Sequence, residues 1–481
     1  MNSSSNEKSG KVIKAGLGYT IGNYLIKGLS FLTLPLFTRL MDTSSYGIYN
    51  SFSAYSNLFF VLVGFAIHSS YRNAKLKYHP LEKYYSYISS TMILVLLSLL
   101  IWGILCIPFG KYIGNLLGLS KTMVYILVLY SFSLAVITCF NSYSSVEYKY
   151  KAFLLIAGAN AVGSIVLSIL LILFVFKKRT YMGRTLGTAI PSVLISVLII
   201  GYFFKVATPP KKNIKPFLRW GVRYSLPIIP HGISQLVLAQ FDRIMILKMI
   251  GSAVAGVYSF AYNIFSIVTV TTTSLDNVWS TWLYEQLHSK NNRAIKKYSS
   301  IYALGILIYL ILLMLISPEL VKLLGPSAYA HSVYAVVPLI TGGYFSFLYT
   351  LPAAIEYYYE KTAFIMIGTI LAAVLNIVLN LIFLIKYSYV AAAYTTLITY
   401  IAYFVLHYFI AKSIVGKSLF STKLLLLLSL IVIIMNFFVL VTLKMVILRW
   451  ILATLIFVVA MFVEEKYLGL IKQKLLNTLK E

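Results

Sequence analysis

Lys27 is the first residue that demands a chemical explanation. It stands about midway along an apolar run from 13 to 36, and a charge at that depth in a bilayer costs roughly 2.5 to 3.5 kcal/mol. Snorkelling does not easily rescue a mid-span lysine, so its place points to a wet cavity and an anionic ligand. Thr20, Asn23 and Ser30 share its helical face. Three further runs carry polar stripes: Asn50, Ser53, Asn57, Gly64 and His68; then His231, Gln235 and Asp242 with Arg243 adjacent; then Tyr258, Tyr262, Ser266, Thr269, Thr273 and Asp276. Steps of three, four or seven put each set on one side of a helix. In hydrocarbon such a side must meet a cavity or another helix. For any single Ser or Thr the plainer explanation, a hydrogen bond between helices, is favoured.

The charged members admit different chemistry. Asp242 and Arg243 point about 100° apart and need not pair with each other. Arg243 suits an anionic ligand. Asp242, and Asp276 further on, suit cation or proton coupling, while a local ion-pair network explains the first two equally well. Arg72 falls near a helix end, where lipid phosphate or plain topology is the commoner reason for a cation. Of the six histidines only His231 lies both on a stripe and beside a helix break, at Pro227, Pro230 and Gly232, and no pair has metal-ligand spacing. Walker, dinucleotide-binding and nucleophile-elbow patterns are missing from the sequence, so no catalytic, cofactor or metal site is expected and any driving energy comes from elsewhere.

The elements that carry these residues are membrane helices. Hydrophobic residues are 60% of 481 positions, charged residues 11%, and the mean hydropathy is +0.85, which excludes an ordinary soluble enzyme. Apolar runs of spanning length lie near 13–36, 46–69, 85–109, 122–144, 152–176, 184–205, 222–247, 254–279, 299–317, 332–355, 362–385, 388–411, 420–442 and 445–467. The expected fold class is all-α integral membrane with about 14 transmembrane helices. The formal charge of +28 sits at the ends of these runs, which argues for topology and against nucleic acid. Lys and Arg favour one set of alternate loops and both termini, so the termini are expected in the cytoplasm; Lys177, Lys178, Arg179 and Arg184 run against that trend. The first run lacks a small-residue cleavage signature, which predicts a retained helix. Cys106 and Cys139 lie inside apolar runs as core filler.

An internal repeat organises the runs. Arg39–Asn50 matches Lys248–Ser259 at a constant spacing of 209 residues, each copy following an odd-numbered helix and opening an even one. Six spans lie within that spacing, so the copies insert in the same orientation, a parallel transporter-type repeat. The expected organisation is a lobe over 1–205, a cytoplasmic linker over 206–221, a second lobe over 222–411, and two additional helices with a tail over 412–481.

The run from Asp242 through Gly251, the Gly256-Val-Tyr helix start and Trp279-Ser-Thr-Trp-Leu-Tyr-Glu285 resemble the polysaccharide-transport branch, the Wzx-type O-antigen flippases, of the multidrug/oligosaccharidyl-lipid/polysaccharide exporter superfamily. Thr281 stands where that family would carry proline. The resemblance implies two six-helix lobes around a central cavity, two added C-terminal helices, and export of polyprenyl-diphosphate-linked oligosaccharide across a bacterial cytoplasmic membrane, with membrane lipids and a glycan polymerase complex as partners. Lys27, Asn23, Asn57, Arg72, His231, Gln235, Arg243, Tyr258 and Tyr262 are then the substrate-binding candidates, cations for the diphosphate and Asn or Tyr for sugar hydroxyls; Asp242 and Asp276 are the ion-coupling candidates. A cation-coupled multidrug exporter of the same superfamily is the alternative, disfavoured by a lysine where a mid-helix acid is expected. A peptidoglycan-precursor flippase would carry more arginines in its first two helices. A glycan polymerase would need a large external loop or an acidic cluster.

Overall fold

A computed structural model describes residues 18, 19, 22, 24–26, 28, 29, 31–209 and 214–478, the last sixteen as backbone only. Among them the chain is mostly helical and carries no strand. It divides into two compact units, Met1–Ser259 and Phe260–Glu481. Among the described residues nine helices are long and apolar enough to cross a membrane, or ten if one bent pair counts as a single span.

Burial follows the logic of a lipid solvent. The two most apolar spans, Leu81–Leu117 and Thr422–Val441, have only 22% and 28% of their apolar stretch buried, whereas the least apolar, Ser327–Tyr358, is 78% buried. Water would impose the opposite order. The exposed Leu97, Leu100, Ile101 and Ile104 on one such span are what a hydrocarbon surround requires.

In the first unit a short helix α1 (Leu34–Leu40) precedes α2 (Thr43–Val63). Pro35 sits in the first turn of α1, where its missing N–H is tolerated. Asp42 starts α2 by accepting from the Ser45 backbone N–H and hydroxyl, both at 2.8 Å, a cap that satisfies an orphan donor. Phe65 and Ala66 adopt left-handed φ of 51° and 47° and end the helix, so the chain enters α3 (Tyr71–Lys77) across a bend of 54°. His68 therefore leaves the face shared by Asn50, Ser53 and Asn57. Then come α4 (Leu81–Leu117), α5 (Lys121–Val146), α6 (Tyr150–Leu170) and α7 (Thr180–Val206). Tyr71, Tyr84, Tyr87, Phe140 and Tyr143 form much of one buried core here.

The stretch read as linker carries a helix, α8 (Ile214–Ser225), with Phe217, Gly221 and Ser225 buried and Lys215, Arg219 and Arg223 exposed. Its charges hid a helix because an amphipathic segment of one turn every 3.6 residues reads as polar when only apolar runs are marked. The seventh span begins later than expected: α9 (Ile228–Met249) starts after Pro227 and packs on α2. The next helix, α10 (Ser252–His288), leaves this unit at Ser259.

The second unit holds the remainder of α10 with α11 (Asn292–Leu324), α12 (Val333–Leu348), α13 (Thr350–Tyr358), α14 (Thr362–Val415), α15 (Thr422–Val441) and α16 (Val446–Thr478). Helix α14 is two helices joined at Ser388, whose φ of 57° and ψ of −156° are not helical. That break falls where the sequence divides 362–385 from 388–411. The stretch between the apolar runs 254–279 and 299–317 is mostly helix, since α10 and α11 run past their apolar cores into charged ends. Arg449, which reads as punctuation between the last two spans, is 1% exposed and holds Glu319 through two bonds of 2.8 and 2.6 Å.

Candidate functional site

The two copies of the repeat touch. At the starts of α2 and α10 the Ser44 and Ser252 hydroxyl oxygens lie 2.6 Å apart. Gly47 and Gly256, equivalent in the repeat, sit between the two backbones. A Cβ on Gly47 would lie 2.0 Å from the Ser252 carbonyl oxygen, and one on Gly256 would lie 1.9 Å from that of Thr43. Only glycine allows helices so close. The sequence repeat is thus a physical contact, backbone against backbone at the two glycines, with the Ser44 and Ser252 hydroxyls paired beside it.

The tyrosines two residues further on are also equivalent, and each meets a charge of a different sign. Tyr258, fully buried, donates from its hydroxyl to Asp242 Oδ2 at 2.6 Å. Tyr49 lies 5.0 Å from the Arg184 guanidinium, which also covers the Phe37 ring at 3.6 Å and donates to Ser168 Oγ at 2.9 Å. A guanidinium over an aromatic face is held by the ring quadrupole. Arg243, 7% exposed, donates to Gln240 Oε1 at 3.0 Å, and its carbonyl accepts from the Ser51 hydroxyl of α2 at 3.3 Å. Asp242, Arg243 and Tyr258 therefore cluster where α9 packs on α2 and α10.

The other candidates are scattered. Asn57 is half-buried on α2, His231 and Gln235 are half-buried in the first turns of α9, and Arg72 is exposed on α3. Tyr262 is buried against Phe265 with ring centres 5.3 Å apart, and Asp276 is half-buried and accepts from Ser280 at 3.4 Å, both in the second unit. Lys27 and Asn23 lie outside the described residues. Many Ser and Thr hydroxyls donate to their own helix's carbonyls, as Ser56 does to Phe52 and Thr272 to Val268, the role that needs no ligand.

Sequence reasoning passed over several groups. Arg184 was noted only for breaking the charge trend. Glu356 and His407, both 0% exposed, are bonded at 2.6 Å; Glu356 falls one residue beyond the predicted 332–355 span and so escaped notice. Asn376 and Asn380, one turn apart on α14, bond each other at 3.3 Å and reach Thr396 and Thr395. Their signal, two buried amides at helical spacing, was available.

These arrangements can bind and can change helix contacts. They offer no nucleophile with an adjacent base. A sequence model described as polysaccharide biosynthesis protein matches residues 12–279. No curated protein sequence matches the chain. Among solved structures the chain is similar to a lipid II flippase MurJ in an inward closed conformation, at 17% identity, covering 91% of this chain and 98% of that one with a TM-score of 0.66. It is also similar to an inward-facing multidrug resistance transporter of the MATE family and MOP superfamily, at 15% identity, covering 84% and 99% with a TM-score of 0.62. At such identities the likeness shows the fold alone, one of many apolar helices.

Proposed function

The chain belongs to the polysaccharide biosynthesis protein family, and from that premise we propose that it is a flippase carrying polyprenyl-diphosphate-linked oligosaccharide from the cytoplasmic to the outer leaflet of a bacterial inner membrane. Both termini lie in the cytoplasm in this reading, in keeping with the Lys and Arg distribution. The observation that carries it is the glycine-to-glycine contact between the repeat copies. A backbone contact flanked by a single pair of hydroxyls closes tightly yet parts cleanly, which alternating access needs.

Lys27 is the cation that meets the diphosphate, with Asn23, Asn57 and the α9 polar stripe offering hydrogen bonds to sugars. The polyprenyl tail stays in lipid. An inside-negative potential helps an anion outward by about 2.3 kcal/mol per charge per 100 mV when the charge crosses unneutralised. A glycan polymerase complex would take up the flipped product.

The test is deletion of the gene with quantification of lipid-linked oligosaccharide and surface glycan, then rescue by wild type and by Lys27→Ala at matched membrane levels. Accumulated carrier-linked units, lost surface glycan and an inactive Lys27→Ala protein support the reading. Unchanged glycan with altered drug sensitivity would overturn it in favour of a multidrug exporter.

A further inference from the structure

Glu356 on α13 and His407 on the second half of α14 are the only acid and base among the described residues to form an ion pair with both side chains fully buried. His407 Nδ1 and Glu356 Oε1 are 2.6 Å apart. Their other polar atoms, Glu356 Oε2 and His407 Nε2, are buried with no hydrogen-bond partner. Space for the imidazole is built in: a Cβ on Gly368, in the first half of α14, would lie 2.7 Å from Nε2. Phenols pack against the pair. Tyr403 and Tyr349 hold their rings 4.6 and 5.9 Å from the imidazole, and Lys412 and Lys417 line a small pocket with Ile355 and Tyr408, the sequence neighbours of the pair. Tyr403 is itself bonded to Thr369 at 2.8 Å.

We propose that Glu356 and His407 form an occluded proton-binding site that holds one proton per pair and gives it up when α13 and the second half of α14 part during the transport cycle. The charge balance dictates the count. With one proton the pair is neutral overall, as imidazolium with carboxylate or as imidazole with carboxylic acid. Losing it leaves a net negative charge in a dry interior, and gaining another leaves a net positive one; either is costly without a partner. The two unsatisfied atoms carry a further desolvation cost in the closed arrangement, which opening to water would relieve. This coupling role rests on the transport reading above; the proton itself does not.

The experiment counts protons on the full-length protein in detergent. In weakly buffered solution at about pH 8, above the ordinary histidine and glutamate values, SDS denaturation exposes the pair and the released protons are read with an indicator dye. Wild type is expected to release about one proton more than Glu356→Gln, because a lone buried histidine holds none there while the amide keeps shape and one bond. His407→Gln is not the control, since a lone buried carboxyl would keep the proton. Should Glu356→Gln fail to fold, the double change Glu356→Leu with His407→Leu serves, apolar replacement of a buried pair being often neutral or stabilising. Equal counts overturn the site. In proteoliposomes a pH gradient should alter wild-type transport and leave Glu356→Gln transport unaltered; equal response of both overturns the coupling. If wild type moves no lipid-linked glycan at all, the flippase reading fails while the proton count still decides the site.

Discussion

Gly256→Ala is the sharpest perturbation this structure offers. The new methyl carbon would stand 1.9 Å from the Thr43 carbonyl oxygen, a backbone atom that cannot swing aside. Ordinary contact begins at 3.4 Å, so the starts of α2 and α10 must separate by about 1.5 Å, and overpacking of this kind costs about 1 to 3 kcal/mol. Spent against the closed contact alone, that lowers its population about 5- to 150-fold relative to the parted arrangement. The assay is disulfide formation between Ser44→Cys and Ser252→Cys in a background without Cys106 and Cys139. The two hydroxyl oxygens are already 2.6 Å apart, so the parent pair should cross-link fast and lock transport until reduced. Adding Gly256→Ala should slow cross-linking about tenfold or more at unchanged membrane abundance. Equal cross-linking rates together with full transport would refute the claim that this contact governs closure.

Three further outcomes follow from side-chain geometry. Tyr258→Phe removes the hydroxyl bonded to Asp242 and should lower thermal stability by the equivalent of about 1 to 3 kcal/mol, read by melting in detergent, with Asp242→Asn recovering part of it in the double variant. Arg449→Met leaves Glu319 without its two bonds and should cost about 1.5 to 3 kcal/mol, since that carboxylate is partly exposed, whereas Arg449→Met with Glu319→Leu should melt near wild type. Lys27→Arg should rescue surface glycan in a deletion strain where Lys27→Ala does not, since the proposed role needs charge; equal rescue by both would remove that lysine from the substrate path.

Hydrophobic runs made the membrane class and the helix-rich fold legible, because runs of spanning length need no tertiary information to be recognised. What they could not give was the breaks inside helices. Phe65, Ala66 and Ser388 adopt left-handed backbone angles that nothing in their side chains announces, and α8 is too charged to register as an apolar run. The repeat was legible as similarity, but its meaning lay in Gly47 and Gly256, whose value appears only when the two backbones meet. Charged residues were weighed by depth in a span, which singled out Lys27 and Asp242. The same reasoning missed Glu356 and Arg449 because each sits near a predicted end, where a charge usually reaches water. Here the packing turns both inward.

The repeat also separates what must be symmetric from what must not. Closure needs two backbones of matching shape, and Gly47 and Gly256 supply it from equivalent positions. Under the proposed function, binding an asymmetric amphiphile needs different chemistry on the two sides, and the equivalent tyrosines differ in that way. Tyr49 lies beneath the cationic Arg184, while Tyr258 is bonded to the anionic Asp242. The backbone contact is thus alike on its two sides while the charges beside it are opposite. Neutralising both partners therefore should disturb function more than it disturbs closure. Arg184→Gln and Asp242→Asn together would be expected to leave Ser44→Cys/Ser252→Cys cross-linking near the parent rate while lowering glycan rescue, because neither side chain lies between the two glycines. Loss of cross-linking in that variant would show instead that the charged partners hold the contact shut.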